Sequence, residues 1–265
     1  MSRSAILNVM VQAAIKAGRS LARDYLDAKN LNFTLKGPAD YVSQADHKAE
    51  DIIKNTLMAA KPDYSYIMEE SGEIIGKDHQ HKFIIDPLDG TTNFLHNFPY
   101  FCVSIALERQ NTLLASVIYN PILDELFTAE KGKGAFLNDR RIRVSKHREL
   151  EKCLICTGIP FIGRPDQGSF LRELSVIMPQ VAGIRRTGAA ALDLAYLAAA
   201  RFDGFWEDNL QIWDIAAGIL LIKEAGGFIS DKNNGTDFVN SKNIIAGNEH
   251  THKALLNCIK QAAIK

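Results

Sequence analysis

No run in the chain approaches the roughly 18 consecutive apolar residues that a membrane-spanning helix needs, so no span is expected. Residues 1–8 carry Arg3 but no apolar leader core, which leaves the cytoplasm as the expected location. An excess of one charge is missing too: Lys+Arg and Asp+Glu both number 31, giving net zero. Without a global positive field, neither nucleic acid nor an anionic membrane is an expected partner. Cysteine is scarce, four in 265 residues with no framework spacing, which excludes a disulfide-stapled scaffold and points to a reducing compartment. Cys153 and Cys156 do spell C-x-x-C, but within an apolar run that reads as a strand. Strand residues three apart face opposite ways, so the pair is expected to fill core rather than chelate.

What is present is a globular composition, 46% hydrophobic and 23% charged, in a chain long enough for one large domain or two sharing an interface. Ile6, Val9, Met10, Ala13, Ala17 and Leu21 recur at helical spacing, predicting an amphipathic helix to about residue 27. A loop is expected over 30–40, then a helix opening at Ser43 and stopping at Lys61-Pro62. Strand-like runs follow at 66–68, 83–85, 101–107, 113–119, 125–129 and 135–144, the last with a turn at Asn138-Asp139, in meander spacing. Past residue 146 strands and helices alternate: strands at 154–157, 204–207, 228–230 and 244–246, helices at 169–178, 189–200, 213–225 and from Thr251. The fold class is therefore α/β, divided into an α+β part over 1–147 and an α/β part over 148–265.

Carboxylates gather at element ends. The strand at Phe83-Ile84-Ile85 runs into Asp86-Pro87-Leu88-Asp89-Gly90-Thr91-Thr92, where Pro87 ends the ladder and Gly90 permits a tight bend. That chemistry turns two carboxylates toward one point, although an Asx-turn that caps a helix accounts for the same letters. Ile67-Met68-Glu69-Glu70-Ser71-Gly72 and Trp213-Asp214 are further cases, readable alone as a solvated loop and an N-cap. Together they make an all-oxygen, anionic set suited to Mg²⁺ or Mn²⁺ rather than Zn²⁺, of the kind two-metal phosphoryl hydrolysis uses.

At these residues the chain resembles the inositol monophosphatase family, in its bacterial form. Glu69-Glu70-Ser71, Asp86-Pro87-Leu88-Asp89-Gly90-Thr91 and Trp213-Asp214 with Ala216, Ala217 and Gly218 match its three ordered signatures. Lys36-Gly37, the segment 42–50, Lys131 to Ala135 and Gly183 to Ala190 extend the likeness over nearly the whole chain. The resemblance implies a layered sugar-phosphatase fold and a Mg²⁺-dependent phosphomonoesterase with two or three ions per site. Glu69, Asp86, Asp89, Asp214 and the Leu88 carbonyl would be the metal ligands, with Asp86 bridging. Thr91 and Glu69 would position and activate the attacking water, and Asp46 would support Thr91. The Gly90 and Thr91 amides would receive phosphate oxygens. Asp89, Asp214, Gly188, Ala189, Ala190 and Glu207 would meet the polyol, Glu207 through its hydroxyls. Inositol 1-phosphate or a related polyol phosphate is the implied substrate, with fructose-1,6-bisphosphate, a nucleotide 3'-phosphate, NADP or histidinol phosphate as alternatives. A homodimer and inhibition by lithium are also implied. A non-catalytic homologue that binds a protein or RNA partner is the rival from another class.

One departure is visible: where the family often has Gly in E-x-G-L, Glu207-Asp208-Asn209-Leu210 has Asn209, and Asp208 adds an acid to the rim. Four other groups invite over-reading. His79 and His81 are expected in a solvated polar loop, and Lys131 to Gly134 as a charged turn lacking a P-loop's strand and Ser/Thr. His96 follows the carboxylate turn and is a candidate neighbour of substrate. Arg185-Arg186 fits either a phosphate or a neighbouring subunit.

Overall fold

The computed structural model describes residues 3–26, 33–37, 40–162 and 167–264. Its helices are α1 (Ala5–Leu26), α2 (Gln44–Ala60), α3 (Thr91–Leu95), α4 (Gln167–Ile177), α5 (Ala190–Ala198), α6 (Ile212–Glu224), α7 (Phe238–Ser241) and α8 (Glu249–Ile264). Strands β1 (Phe33–Gly37) and β2 (Asp40–Ser43) form a small antiparallel hairpin. An eight-stranded sheet follows from β3 (Tyr64–Met68), β4 (Gly72–Ile74), β5 (Asp78–Asp89), β6 (Cys102–Arg109), β7 (Thr112–Asn120), β8 (Glu125–Glu130), β9 (Gly134–Leu137) and β10 (Arg140–Arg141). Its order is β10-β9-β8-β7-β6-β5-β3-β4, antiparallel except where β3 runs parallel to β5. A second sheet takes β11 (Leu154–Thr157), β12 (Gly183–Arg185), β13 (Gly204–Asp208), β14 (Phe228–Ser230) and β15 (Asn243–Gly247) in the order β12-β11-β13-β15-β14.

Side-chain alternation builds five layers from these parts. On β5, Phe83 and Ile85 pack into an outer core with α1 and α2, while Ile84 faces inward. On β13, Phe205 faces that same interior and Trp206 faces the opposite side, into a core with α4 and α8. Between the sheets lie α5 and α6, and every residue of α5 is buried. A helix apolar all round is stable only in such a central layer. The two parts of C-x-x-C separate accordingly, Cys156 into the central core and Cys153 into the outer one, and both are free thiols.

The α/β class and the meander from β6 to β10 match expectation. Several boundaries differ. Within the expected loop at 30–40, residues 33–37 and 40 belong to the hairpin; the remaining positions, 30–32 and 38–39, lie outside the described residues. Ser43 closes β2, so α2 opens at Gln44. The expected strand over 135–144 ends as β10 at Arg141. Strand β5 begins at Asp78, since the Asp78 amide donates to Asp63 O at 2.7 Å and His81 stacks on Tyr64 at 4.6 Å. His79 and His81 thus sit on a strand rather than a loop, and His81 Nδ1 pairs with Asp78 Oδ2 at 2.8 Å.

Candidate active site

Period-two alternation sets Asp86 on the same face as Ile84, toward the central helices. The register then slips: Asp86 is opposite Ser104 and Asp89 opposite Cys102, a bulge that contains Pro87. A bulge re-aims side chains at a sheet edge, and here it brings both carboxylates to the inner side. Asp86 Oδ1 accepts the Leu88 amide at 3.0 Å, closing the bend. Gly90 follows at φ +94, and a Cβ there would lie 3.0 Å from Tyr100 O and 3.1 Å from the Ala189 Cβ. Both the dihedral and the space demand glycine. Thr91 opens α3, its hydroxyl 3.1 Å from Asp46 Oδ1 and 3.0 Å from the Leu88 carbonyl.

Three other segments converge on this bend. The Glu69 amide donates to Ile85 O at 3.2 Å, which sets Glu69 beside Asp86. The turn beyond it is held by Glu50, buried on α2, which accepts the Glu70 amide at 2.9 Å and the Ser71 hydroxyl. Asp214 stands in the first turn of α6, where its Oδ2 accepts the Gln211 amide at 2.7 Å. It therefore acts as a cap and as a member of the cleft. Asp89 Oδ2 accepts the Ala191 amide at 2.7 Å, tying the bend to α5. Asn93 ties it again, donating to Tyr100 O at 2.7 Å and Thr187 O at 2.9 Å.

The cleft so formed holds about 860 Å³ of empty space. Glu69, Asp86, Leu88, Asp89, Gly90, Thr91, Gly188, Ala189, Ala190, Glu207 and Asp214 all line it. Asp46 is buried behind Thr91 and reaches the cleft through that hydroxyl. Arg186 also lines it, with its guanidinium against Gly188, whereas Arg185 bonds its neighbour's carbonyl, Ile184 O. His96 is exposed at the end of α3 and is not among the lining residues.

Charge is poorly compensated in this space. Burial, then Glu69, Asp89 and Asp214 in turn, push the Asp86 carboxyl well above the usual range. Burial and Asp214 push Asp89 up to about 8. Glu207 is raised by burial and by Asp193, Asp214 and Asp89, against a partial offset from Arg186. Among the described residues, no three carboxylates, imidazoles or thiols are gathered closely enough to hold an ion as they stand. What fits is the donor chemistry: clustered oxygen ligands, Asp86 buried and the others part-buried, that repel one another and favour a hard divalent cation.

Three features escaped the sequence. Asp193, buried on α5, accepts the Tyr100 hydroxyl at 2.6 Å and the Thr187 hydroxyl, bracing the 187–190 segment; burial raises it to about 6. Glu50 and the Gly158–Phe161 wall carried no motif. The turn at Lys131 to Gly134 does cradle an anion, but the anion is internal: the Gly132 and Gly134 amides donate at 2.7 Å to the Glu224 carboxylate at the end of α6. On the rim, Asp208 is paired with Lys232 at 2.5 Å, so it adds less free negative charge than its letter suggests. Asn209 takes φ +62, a left-handed conformation that asparagine tolerates in place of glycine.

Residues 2–265 match the family described as the Inositol monophosphatase family. An inositol-1-monophosphatase of Mesorhizobium japonicum is 59% identical over 261 residues, covering 98% of each chain. A protein named Nus factor SuhB from Vibrio cholerae is 43% identical, covering 97% of this chain and 96% of its own. The crystal structure of extragenic suppressor protein suhB from Bartonella henselae superposes with a TM-score of 0.96 at 64% identity, covering 97% of this chain and 99% of its own. No helix among the described residues is long and apolar enough to cross a membrane.

Proposed function

Since this chain belongs to the inositol monophosphatase family over its whole length, we propose that it is a Mg²⁺-dependent phosphomonoesterase acting on inositol 1-phosphate or a related polyol phosphate. The observation that carries this reading is the convergence of Glu69, Asp86, Asp89 and Asp214, from three chain segments, on one cleft beside Thr91. Mg²⁺ ions bound by these four side chains and the Leu88 carbonyl would supply electrophilic activation of phosphate and water, with Mn²⁺ as a substitute.

The chain's own residues do the rest. Thr91 has one hydroxyl proton and two oxygen acceptors within reach, Asp46 Oδ1 and Leu88 O, so its lone pairs are left to accept from the attacking water. Asp46, buried behind Thr91, is placed to accept that hydroxyl proton in a hydrogen bond and so fix the orientation of the acceptor lone pairs. Glu69, which lines the same cleft as Thr91, takes the proton the water gives up. The Gly90 and Thr91 amides face the phosphate oxygens. Glu207 accepts from polyol hydroxyls, and the Gly188-Ala189-Ala190 backbone and methyls lie flat against the ring. Product and substrate are small molecules, and the working unit is a cytoplasmic homodimer.

Phosphate release tests this reading directly, with and without a chelator, across inositol 1-phosphate, fructose-1,6-bisphosphate, a nucleotide 3'-phosphate, NADP and histidinol phosphate. Turnover of inositol 1-phosphate should be the most efficient by kcat/KM and should vanish on chelation. The name Nus factor carried by a 43% identical relative keeps a second, non-catalytic reading in play. Absence of phosphate release from every ester at saturating Mg²⁺ would favour that second reading.

A further inference from the structure

Behind the polyol side of the cleft, one buried oxygen gathers three stretches of chain. Asp193, 1% exposed in the first turn of α5, accepts the Tyr100 hydroxyl at 2.6 Å and the Thr187 hydroxyl, both on Oδ1. The Thr187 hydroxyl also meets the Cys156 thiol of β11 at 3.5 Å. An ionised carboxylate has no proton to give, so Tyr100 and Thr187 must both donate to it, which leaves the thiol to donate to Thr187. Asn93 makes the same connection through the main chain, donating to Tyr100 O and Thr187 O. Tyr100 and Thr187 are therefore joined twice, once by backbone and once by side chain.

That double joint lies between the two working parts of the cleft. A Cβ at Gly90 would be 3.0 Å from Tyr100 O and 3.1 Å from the Ala189 Cβ, so the bend and the Gly188–Ala190 platform are in contact. Their spacing sets where a ring rests relative to the phosphorus. The bend has ties of its own, from Thr91 to Asp46 and the Leu88 carbonyl and from the Leu88 amide to Asp86. The start of α5 is tied through the Ala191 amide to Asp89. The segment ahead of it, 187–189, is anchored by Asn93 and Asp193. Asp193 itself does not line the cleft. A charge is costly to bury, and here its effect is to dictate the direction of two hydroxyls rather than to touch a ligand.

We propose that Asp193 is a positioning residue for substrate selection: by joining Tyr100 to Thr187 it fixes the Gly188–Ala190 platform at the spacing a cyclitol ring requires. Ring-bearing phosphates gain their advantage over open-chain ones from that spacing. The inference rests on the phosphatase reading for its substrate and deepens it.

The test compares inositol 1-phosphate with n-propyl phosphate on the Mg²⁺-loaded protein, as a ratio of kcat/KM. Asp193→Ala should cut that ratio about tenfold to a hundredfold, since a shift of about 1 Å is enough for the larger figure. Turnover of n-propyl phosphate should stay unchanged. Asp193→Asn keeps an oxygen that accepts both hydroxyls and should restore most of the ratio. Tyr100→Phe and Thr187→Val each remove one hydroxyl and keep the side chain's shape. Each should lower the ratio several-fold alone and not at all when added to Asp193→Ala. These two variants carry the test if Asp193→Ala fails to fold. A merely structural role would lower the melting temperature and both activities together; an intact ratio of that kind overturns the proposal. So does a wild-type ratio kept by both Tyr100→Phe and Thr187→Val. Calorimetric binding of the two matching phosphonates, which resist hydrolysis, separates this inference from the phosphatase reading. A ring preference in binding that Asp193→Ala abolishes, with no ester turned over, supports the positioning role and defeats the catalytic reading. Turnover of inositol 1-phosphate with a ratio that no variant moves defeats the positioning role alone.

Discussion

Asp86 is buried among three other carboxylates, and its neighbours raise its proton affinity instead of holding it ionised. Asp86→Asn keeps the shape and an acceptor for the Leu88 amide but removes the charge. Turnover should fall on the order of a thousandfold or more, while the melting temperature of chelator-treated protein holds or rises. Near-normal phosphate release at ordinary Mg²⁺ would remove Asp86 from the cluster. The same repulsion sets a pH dependence. Burial and then the Asp214 charge push the Asp89 carboxyl up to about 8, far above the ordinary carboxylate range, so the folded state binds its proton more readily than the unfolded state. That contribution is complete below the unfolded value and is lost as pH rises through 8. Chelator-treated protein should therefore gain a few degrees in melting temperature as pH falls from about 8.5 to 6.5. Below that, buried His252, whose pKa burial lowers, begins to act the other way. Differential scanning fluorimetry checks the slope, and a melting temperature that falls across this window contradicts it. Residues of this kind were legible because motif neighbours announced them. Asp193 and Glu50 were not, since one acid on a helix reads the same whether it braces a loop or faces water.

Two carboxylates on helices, Glu50 within α2 and Glu224 at the end of α6, show how turns are held, and they predict opposite phenotypes. Glu50 on α2 supports the turn that carries Glu69, whereas Glu224 closes the β8–β9 turn about 15 Å along α6 from Asp214. Glu224→Ala should cost about 1–3 kcal/mol of stability by orphaning the part-buried Gly134 amide, with kcat/KM unchanged. Glu50→Ala should instead weaken Mg²⁺ activation roughly tenfold to a hundredfold, because it frees the segment that aims Glu69. Chemical denaturation and a Mg²⁺ titration of phosphate release, run on both variants, distinguish them; equal loss of activity in the two would contradict the assignment. Element boundaries were the less legible part. The 12-residue β5 contains only a short apolar core, and its polar first half is a strand because of the Asp63 and Tyr64 contacts, which are distant in pattern if close in sequence. Strand β12 is three residues long and carries an Arg, so pairing with β11 rather than composition creates it.

At the scale of the molecule, α5 and α6 are shared property of both sheets. Helix α6 packs on β5, β6 and β7 on one side and on β14 on the other. Neither half can keep its inner face dry without them. Unfolding of the metal-free protein should accordingly be one calorimetric transition, and a fragment of residues 148–265 should not fold alone. Two resolved transitions would contradict this. Their position was foreseeable from sequence, since both helices lack a polar face, but which sheets they separate depended on strand order.

Gly218 on α6 leaves no room for a side chain: a Cβ would lie 2.5 Å from Leu194 Cδ1 on α5. Those same two helices deliver Asp214 and the Ala191 amide to the cleft. A randomised library screened solely for phosphate release would thus return glycine at position 218 as strictly as aspartate at 86. The solvent faces of α1 and α4 would drift freely in the same screen, so a tolerance map drawn from activity alone would trace the central layer as well as the chemistry.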